Sequence, residues 1–174
     1  MRFLKLAFIS FIFLFLLITG ISLFIPSHIR ISRAINIAAS GDSIFSQIRY
    51  LEKWKNWYPG FDTLPLLTID TKEGHVLSAK APGQVTIMVS DNKKDGAIGI
   101  IAEFRSKRTP LINGWKTISY PGTDSVTLQW FMDFKLRWYP WEKFSSLMFE
   151  NIYGPRMEKG LANLKALLEN NAER

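Results

Sequence analysis

Lys116 and Tyr120 are the side chains of this chain best suited to acid–base work. They lie four residues apart in a predicted strand, Leu111 to Tyr120, on the parity of Ile112 and Ile118. Alternate residues of a strand point to one face, so the pair could face an interior. A lysine or tyrosine held in a dry cavity has a shifted pKa and can move a proton. Trp115 falls on the opposite parity, so one large side chain must face out if Lys116 faces in. The alternation alone leaves that register open.

A second group of residues suits apolar binding. Trp130, Phe134 and Trp138 recur every fourth residue on one face of the last predicted strand. Met132, Met148 and Met157 add soft, adaptable surface. Such residues pack a core or line a pocket, and a pocket wall is also core. The expected cavity lining is Trp130, Met132 and Phe134 from the strand and Phe144 and Met148 from the final helix, with Lys116 and Tyr120 as its polar members. The cluster Trp138-Tyr139-Pro140-Trp141 stands apart, either as a structural corner or as an aromatic belt at a bilayer interface.

Most enzyme signatures are missing. The chain has no cysteine, which removes thiolate nucleophiles, cysteine metal sites and lipoprotein processing. It carries no H-E-x-x-H, no G-x-S-x-G and no phosphate-binding glycine loop. His28 and His75 come from distant segments and read as surface residues. No catalytic residue, metal or cofactor is expected.

The elements that must position these residues begin with a membrane span. Leu6 to Ile25 is uncharged, with Ser10, Thr19 and Ser22 its only polar side chains. As a helix it is roughly 30 Å long, the thickness of a bilayer's hydrocarbon core. Arg2 and Lys5 precede it, and Pro26-Ser27 closes it. Gly20-Ile21-Ser22 is a poor cleavage site, and apolar residues continue past it, so an uncleaved anchor is favoured over a signal peptide. The basic start favours a cytoplasmic N-terminus and an extracytoplasmic body.

Beyond the span lies enough chain for one ordinary domain. The formal net charge of +7 is scattered among turn and polar-face lysines and arginines. A nucleic-acid surface would need them gathered, so no nucleic-acid partner is expected. Ile29, Ile31, Ile35 and Ile37 share one strand parity, with Arg33 as the exception. Ser40-Gly41-Asp42-Ser43 then supplies N-cap chemistry for a short helix burying Ile44, Phe45 and Ile48. A second helical piece carries Leu51, Trp54 and Trp57 and ends at Pro59-Gly60.

Strands follow at Leu64–Thr71, His75–Lys80, Gln84–Ser90, Ala97–Lys107 and Leu111–Tyr120, with polar turns between them. The last strand has the clearest pattern. Val126, Leu128, Trp130, Met132, Phe134, Leu136 and Trp138 share one parity. The other parity is polar except for Phe131. That is the alternation of a half-buried antiparallel strand. A long helix from about Glu142 to Asn170 closes the chain. Its apolar stripe runs through Phe144, Leu147, Met148, Ile152, Met157, Leu161, Leu164 and Leu168, with a kink expected at Gly154-Pro155.

The order predicts an α+β fold. A curved antiparallel sheet must cover its dry face, and only the final helix is long enough to do so. The space between them is the natural ligand site.

Three stretches resemble the START-like, or SRPBCC, superfamily of polyketide cyclase/dehydrase-like proteins with the helix-grip fold. They are Ile31 to Ala39 with Ile44-Phe45 and Leu51 to Pro59, then Val126 to Phe131, then Gly154 to Glu169. The resemblance covers nearly all of the chain after the anchor and specifies fold better than activity. It implies an apolar or amphipathic ligand between sheet and helix, with cyclisation or dehydration in some members. No catalytic motif shared by the group transfers to these residues.

The expected organisation is an anchor at residues 1–27 and a START-like domain at 28–174. The favoured function is membrane-anchored binding of a lipid-like small molecule without catalysis. The alternatives are a cyclase or dehydratase-like enzyme using polar groups of the same cavity, and an interaction domain whose interior is filled by its own side chains.

Overall fold

The computed structural model describes residues 2–65, 67–72, 75–81, 85–94, 97–105, 111–119 and 125–172. Tyr120 and most of the expected turn residues, among them 73–74, 82–83 and 121–124, lie outside the described residues.

Helix α1, Arg2–Leu23, is long and apolar enough to cross a membrane. It is exposed along almost its whole length. Two of its polar residues return their hydroxyls to the helix: Thr19 Oγ1 donates to the Phe15 carbonyl and Ser22 Oγ to the Thr19 carbonyl, each at 2.8 Å. Neither hydroxyl is left to be satisfied by solvent.

Strand β1, His28–Ile37, leads into helix α2, Gly41–Arg49. Ser40 caps α2 by accepting from the Ser43 N–H at 3.2 Å. Asp42 and Arg49 lie at the ends that the helix dipole favours for their charges. The helix buries Ile44, Phe45 and Ile48, as its spacing predicts. A 3-10 turn, Leu51–Asn56, then buries Leu51 and Trp54. Gly60 takes a φ of 77°, a conformation that suits glycine and ends this segment.

Five strands follow: β2 Leu67–Lys72, β3 His75–Ala81, β4 Val85–Lys94, β5 Ala97–Arg105 and β6 Leu111–Ser119. β4 runs through Asp91 to Lys94, where the sequence suggests a polar turn, because that stretch pairs with Ala97 to Ile100 of β5. The last strand, β7, is Val126–Lys135. It ends before Leu136 and Trp138, three residues short of the alternating pattern.

The strands form one curved antiparallel sheet in the order β1-β7-β6-β5-β4-β3-β2. The first strand thus closes against the last. On β7, Val126, Leu128, Trp130, Met132 and Phe134 are buried and the residues between them are half-buried. Its outer face is laddered to β1. Arg30 grips Asp133 with two hydrogen bonds of 2.6 and 2.7 Å, Gln129 donates to Ser32, and Thr127 donates to Asn36. Phe131, the apolar exception on that face, covers Gly114 of β6; a Cβ on Gly114 would lie 2.0 Å from the ring. The Arg30 guanidinium lies over the same ring, 4.4 Å from its centroid.

The final helical region is broken, not continuous. Helix α3, Pro140–Ser145, passes through a 3-10 turn, Ser146–Met148, into helix α4, Phe149–Ala172. The interruption falls ahead of the Gly154-Pro155 pair, and α4 contains Pro155. α4 lies across the sheet beside β1 and buries Met157, Leu161, Leu164 and Leu168. α1 packs against α3. The fold is the α+β helix-grip architecture.

Candidate functional site

The register of β6 against β7 decides which side chains face the interior. Trp115 lies opposite Trp130, Asn113 opposite Met132 and Leu111 opposite Phe134. All of these therefore point toward α4 and the 3-10 turn. Lys116 lies opposite Gln129, on the outer face of the sheet. The expected inward lysine is thus replaced by Trp115, because one residue of offset reverses the face.

The middle of the interior is packed with rings. Trp115 and Trp130 stack with centroids 5.5 Å apart. Trp54 meets Trp115 edge-on at 5.3 Å, and Tyr58 meets Trp130 at 5.2 Å. Trp54 Nε1 donates to the Ile48 carbonyl at 2.7 Å, and Trp57 Nε1 to the Gln47 carbonyl at 3.1 Å. These bonds hold the 3-10 turn against the end of α2. On the helix side, Gly160 lets α4 approach: a Cβ there would lie 2.7 Å from the Trp130 ring and 3.0 Å from Pro59.

A small polar group sits within these rings. Trp130 Nε1 donates to Asn113 Oδ1 at 3.2 Å. Among the described residues, Trp115 Nε1 is a buried donor without an acceptor, and Asn113 Nδ2 makes no hydrogen bond of full geometry but lies near enough to the Tyr58 hydroxyl to favour its ionised form. A buried donor costs about 1–3 kcal/mol when left unpaired, so Trp115 Nε1 favours an incoming acceptor oxygen. Burial pushes the Tyr58 hydroxyl well above the ordinary tyrosine range, against smaller opposing effects of Arg156 and Asn113. At neutral pH Tyr58 is a hydrogen-bonding phenol and not a base.

Two residues along β6 from Asn113, at Leu111, the interior opens. A cleft of about 230 Å³ is lined by Leu111, Phe134, Leu136, Phe149 and Tyr153, with Lys135, Glu142 and Ser145 as its polar rim. Its back wall is an aromatic trio: Phe134 lies 4.7 Å from Phe149 and 4.8 Å from Tyr153. The rim is fixed. Arg137 donates to Glu142 through both its backbone N–H, at 2.9 Å, and its guanidinium Nε, at 2.8 Å. The guanidinium's hydrogen bonds hold the Glu142 carboxyl below its usual range.

Of the expected cavity lining, Trp130 and Met132 are buried in the ring-packed interior and Phe134 lines the cleft. Lys116 is outside it, and Tyr120 is outside the described residues. Phe144 and Met148 are exposed, because α3 and the 3-10 turn direct them away from the sheet. Phe149 and Tyr153 take the place expected for them. The polar member that sequence reasoning missed is Asn113. It falls on the parity of Leu111 and Trp115, and its signal was present once Trp115 is placed inward.

A second cleft, about 240 Å³, lies among α2, β2, β3 and β4 and is lined by Arg49, Tyr50, Lys72, Leu77, Val89, Ser90 and Asp91. Arg49 is already paired with Asp91 at 2.9 Å. Next to it His75, expected on the surface, stacks on Tyr50 at 3.8 Å and bonds Glu52 at 2.6 Å. Burial would raise the Glu52 carboxyl, but hydrogen bonds from His75 and the Val76 N–H outweigh it and hold the carboxyl below its usual range. No group of three or more metal-ligating side chains occurs among the described residues.

The model of the polyketide cyclase / dehydrase and lipid transport family matches residues 28–169, and the chain belongs to that family. Comparison with curated proteins gave no match. Among solved structures, the chain is similar to a START superfamily protein from Mycobacterium smegmatis, with 17% identity, a TM-score of 0.57, and 81% of this chain and 97% of that chain covered. It is also similar to a protein from Nitrosospira multiformis, with 12% identity, a TM-score of 0.58 and coverage of 84% and 100%. A truncated norcoclaurine synthase from Thalictrum flavum has 13% identity, a TM-score of 0.52 and coverage of 80% and 92%. At these identities the likeness is one of fold.

Proposed function

We propose that this family member is a membrane-anchored binding domain for an amphipathic, lipid-like molecule, with no chemistry of its own. The observation that carries the reading is the cleft beside Phe134, Phe149 and Tyr153, with the buried Asn113 amide two residues along β6 from the Leu111 that lines it. A dry cavity of about 150 Å³ accepts a benzene-sized group, and drug-sized ligands need roughly 300 Å³ or more. A cleft of about 230 Å³ therefore suits one ring or the end of one acyl chain. A carbonyl or hydroxyl on that group would meet Asn113 Nδ2. Residues 1–27 would tether the domain to the membrane that supplies the ligand, with the N-terminus cytoplasmic and the domain outside.

The full chain in lipid nanodiscs is the material for the test. A fluorescent polyene fatty acid should bind stoichiometrically, and Phe134→Ala should change its affinity. Native mass spectrometry of the chain taken from its own membrane should show a retained small molecule. Absence of both would overturn the reading.

The ring-packed middle favours a second reading, an interaction domain with a filled interior. It is separated from the first by the same titration, since a filled core gives no saturable probe binding in the folded state.

A further inference from the structure

The α3 region carries more exposed apolar surface than a soluble domain needs. Trp138, Trp141, Phe144, Leu147, Met148 and Ile152 are between 37% and 65% exposed. They are contributed by the end of β7's connection, α3, the 3-10 turn and the first turn of α4. Contiguous apolar surface of this kind marks an interaction site. Its aromatic members are ordered for an interface: Tyr139 stacks on Trp141 at 4.9 Å with rings 6° apart, Trp138 packs on Tyr139 at 4.9 Å, and the Arg137 guanidinium lies 4.9 Å from the Tyr139 ring. Amphipathic rings with an adjacent cation suit the headgroup level of a bilayer.

The same region is fastened to the exit of α1. Lys143, only 3% exposed, donates from Nζ to the Ile25 carbonyl and to Ser27 Oγ, both at 2.7 Å. Trp141 and Phe144 are within two residues of that anchor point. Wherever α1 leaves a membrane, this patch leaves with it.

We propose that the segment from Trp138 to Ile152 lies in the bilayer interface and seats the domain on the lipid surface. The inference rests on reading α1 as an anchor. It adds that the domain does not swing freely on its tether. Glu142, Ser145 and Phe149, which line the cleft, belong to the same segment. The cleft mouth is thereby held against lipid, and a ligand passes between bilayer and cleft without crossing water.

The chain has no cysteine, so one introduced thiol gives a unique label. Full chain carrying Leu147→Cys or the control Ala162→Cys is labelled with an environment-sensitive fluorophore. It is then reconstituted into phosphatidylcholine and phosphatidylglycerol vesicles, with and without brominated lipid. The label at 147 should shift to the blue and lose emission to brominated lipid, while the label at 162 should do neither. Carbonate-resistant chain whose 147 label emits as in water would overturn the seat and leave the anchor standing. Extraction by carbonate would overturn both. Shielding of position 147 in native membranes but not in lipid vesicles would assign the patch to a protein partner and overturn the lipid proposal.

Discussion

Arg33 reaches across the edge of the sheet to lie against Gly154 of α4, where a Cβ would sit 2.6 Å from its Nη2. The guanidinium bridges Glu150 and Glu158, with Nε donating to Glu158 at 2.7 Å and Nη2 donating to Glu150. Glu150, Gly154 and Glu158 are spaced by fours, on one helix face. Arg33 breaks the isoleucine parity of β1 because its neighbour on that face is a helix, not a core.

Two glycines on α4 therefore make a contrast. At Gly154 the obstacle is the end of a flexible side chain; at Gly160 it is the Trp130 ring and Pro59. Gly154→Ala should be neutral or mildly stabilising, since alanine favours a helix by up to about 1 kcal/mol. Gly160→Ala should destabilise by about 1–3 kcal/mol, as overpacking does. Chemical denaturation of both variants checks this, and equal midpoints would mean that α4 does not pack on Trp130 as described.

The apolar stripe of the final helix should likewise split in two. Leu161 is 2% exposed, whereas Met148 is 60% exposed. Leu161→Ala should cost about 2–5 kcal/mol as a core truncation. Met148→Ala should change stability by less than about 0.5 kcal/mol, as exposed positions do. Similar losses from both would show that one continuous helix covers the sheet.

That split also marks the limit of what the residue pattern reveals. The alternation on β7 identified its buried face from Val126 to Phe134, because one side of that strand packs on the core and the other is only half-buried. Leu161, Leu164 and Leu168 were legible on α4 because a spacing of three and four keeps them on one helix face. Phe144 and Met148 share the stripe's spacing yet are exposed, because an exposed apolar residue has the same spacing as one turned toward a core. Lys116 was misplaced because β6 alternates weakly. Ile112 and Ile118 sit on its outer face, and only pairing with Trp130 fixes Trp115 inward. Asn113 was hidden by that same offset.

The interior reading predicts distinct outcomes at neighbouring residues. Trp130→Ala should enlarge the space beside the cleft and change probe affinity by more than about 1 kcal/mol, a tenfold change needing about 1.4. Phe131→Ala, on the outer face, should leave affinity unchanged. Asn113→Leu should weaken probes that carry a carbonyl and spare plain hydrocarbons. Parallel titrations of the full-length variants read all three, and identical affinities throughout would favour the filled interior.

The Glu52–His75 contact should give the fold an acid limb. The Glu52 carboxyl is held below its usual range in the folded chain. A depressed carboxylate stabilises fully above its unfolded pKa, near 4.5, and that contribution is lost as pH falls through the folded value. Glu52→Gln should therefore lower Tm at pH 7. The gap between variant and parent should narrow as pH drops below about 4.5. A gap that stays constant from pH 7 to pH 3 would remove Glu52 as the source.

Lys143 supplies the last test, because it joins the end of α1 to the domain. Its ammonium is buried and bonded to the Ile25 carbonyl and Ser27 Oγ. Hydrogen bonds from a charged donor contribute about 1.5–3 kcal/mol each. Lys143→Met keeps the length and the apolar stem but leaves both acceptors without that donor. The α1–β1 junction should then loosen while the sheet stays intact. Hydrogen exchange of the full chain in nanodiscs should accelerate at residues 24–28 and around Ser146, with β6 and β7 unchanged. Exchange that is unaltered near residue 25 would mean that α1 is joined to the domain by the chain alone. Exchange that rises through the whole sheet would mean that Lys143 supports the core instead of the tether.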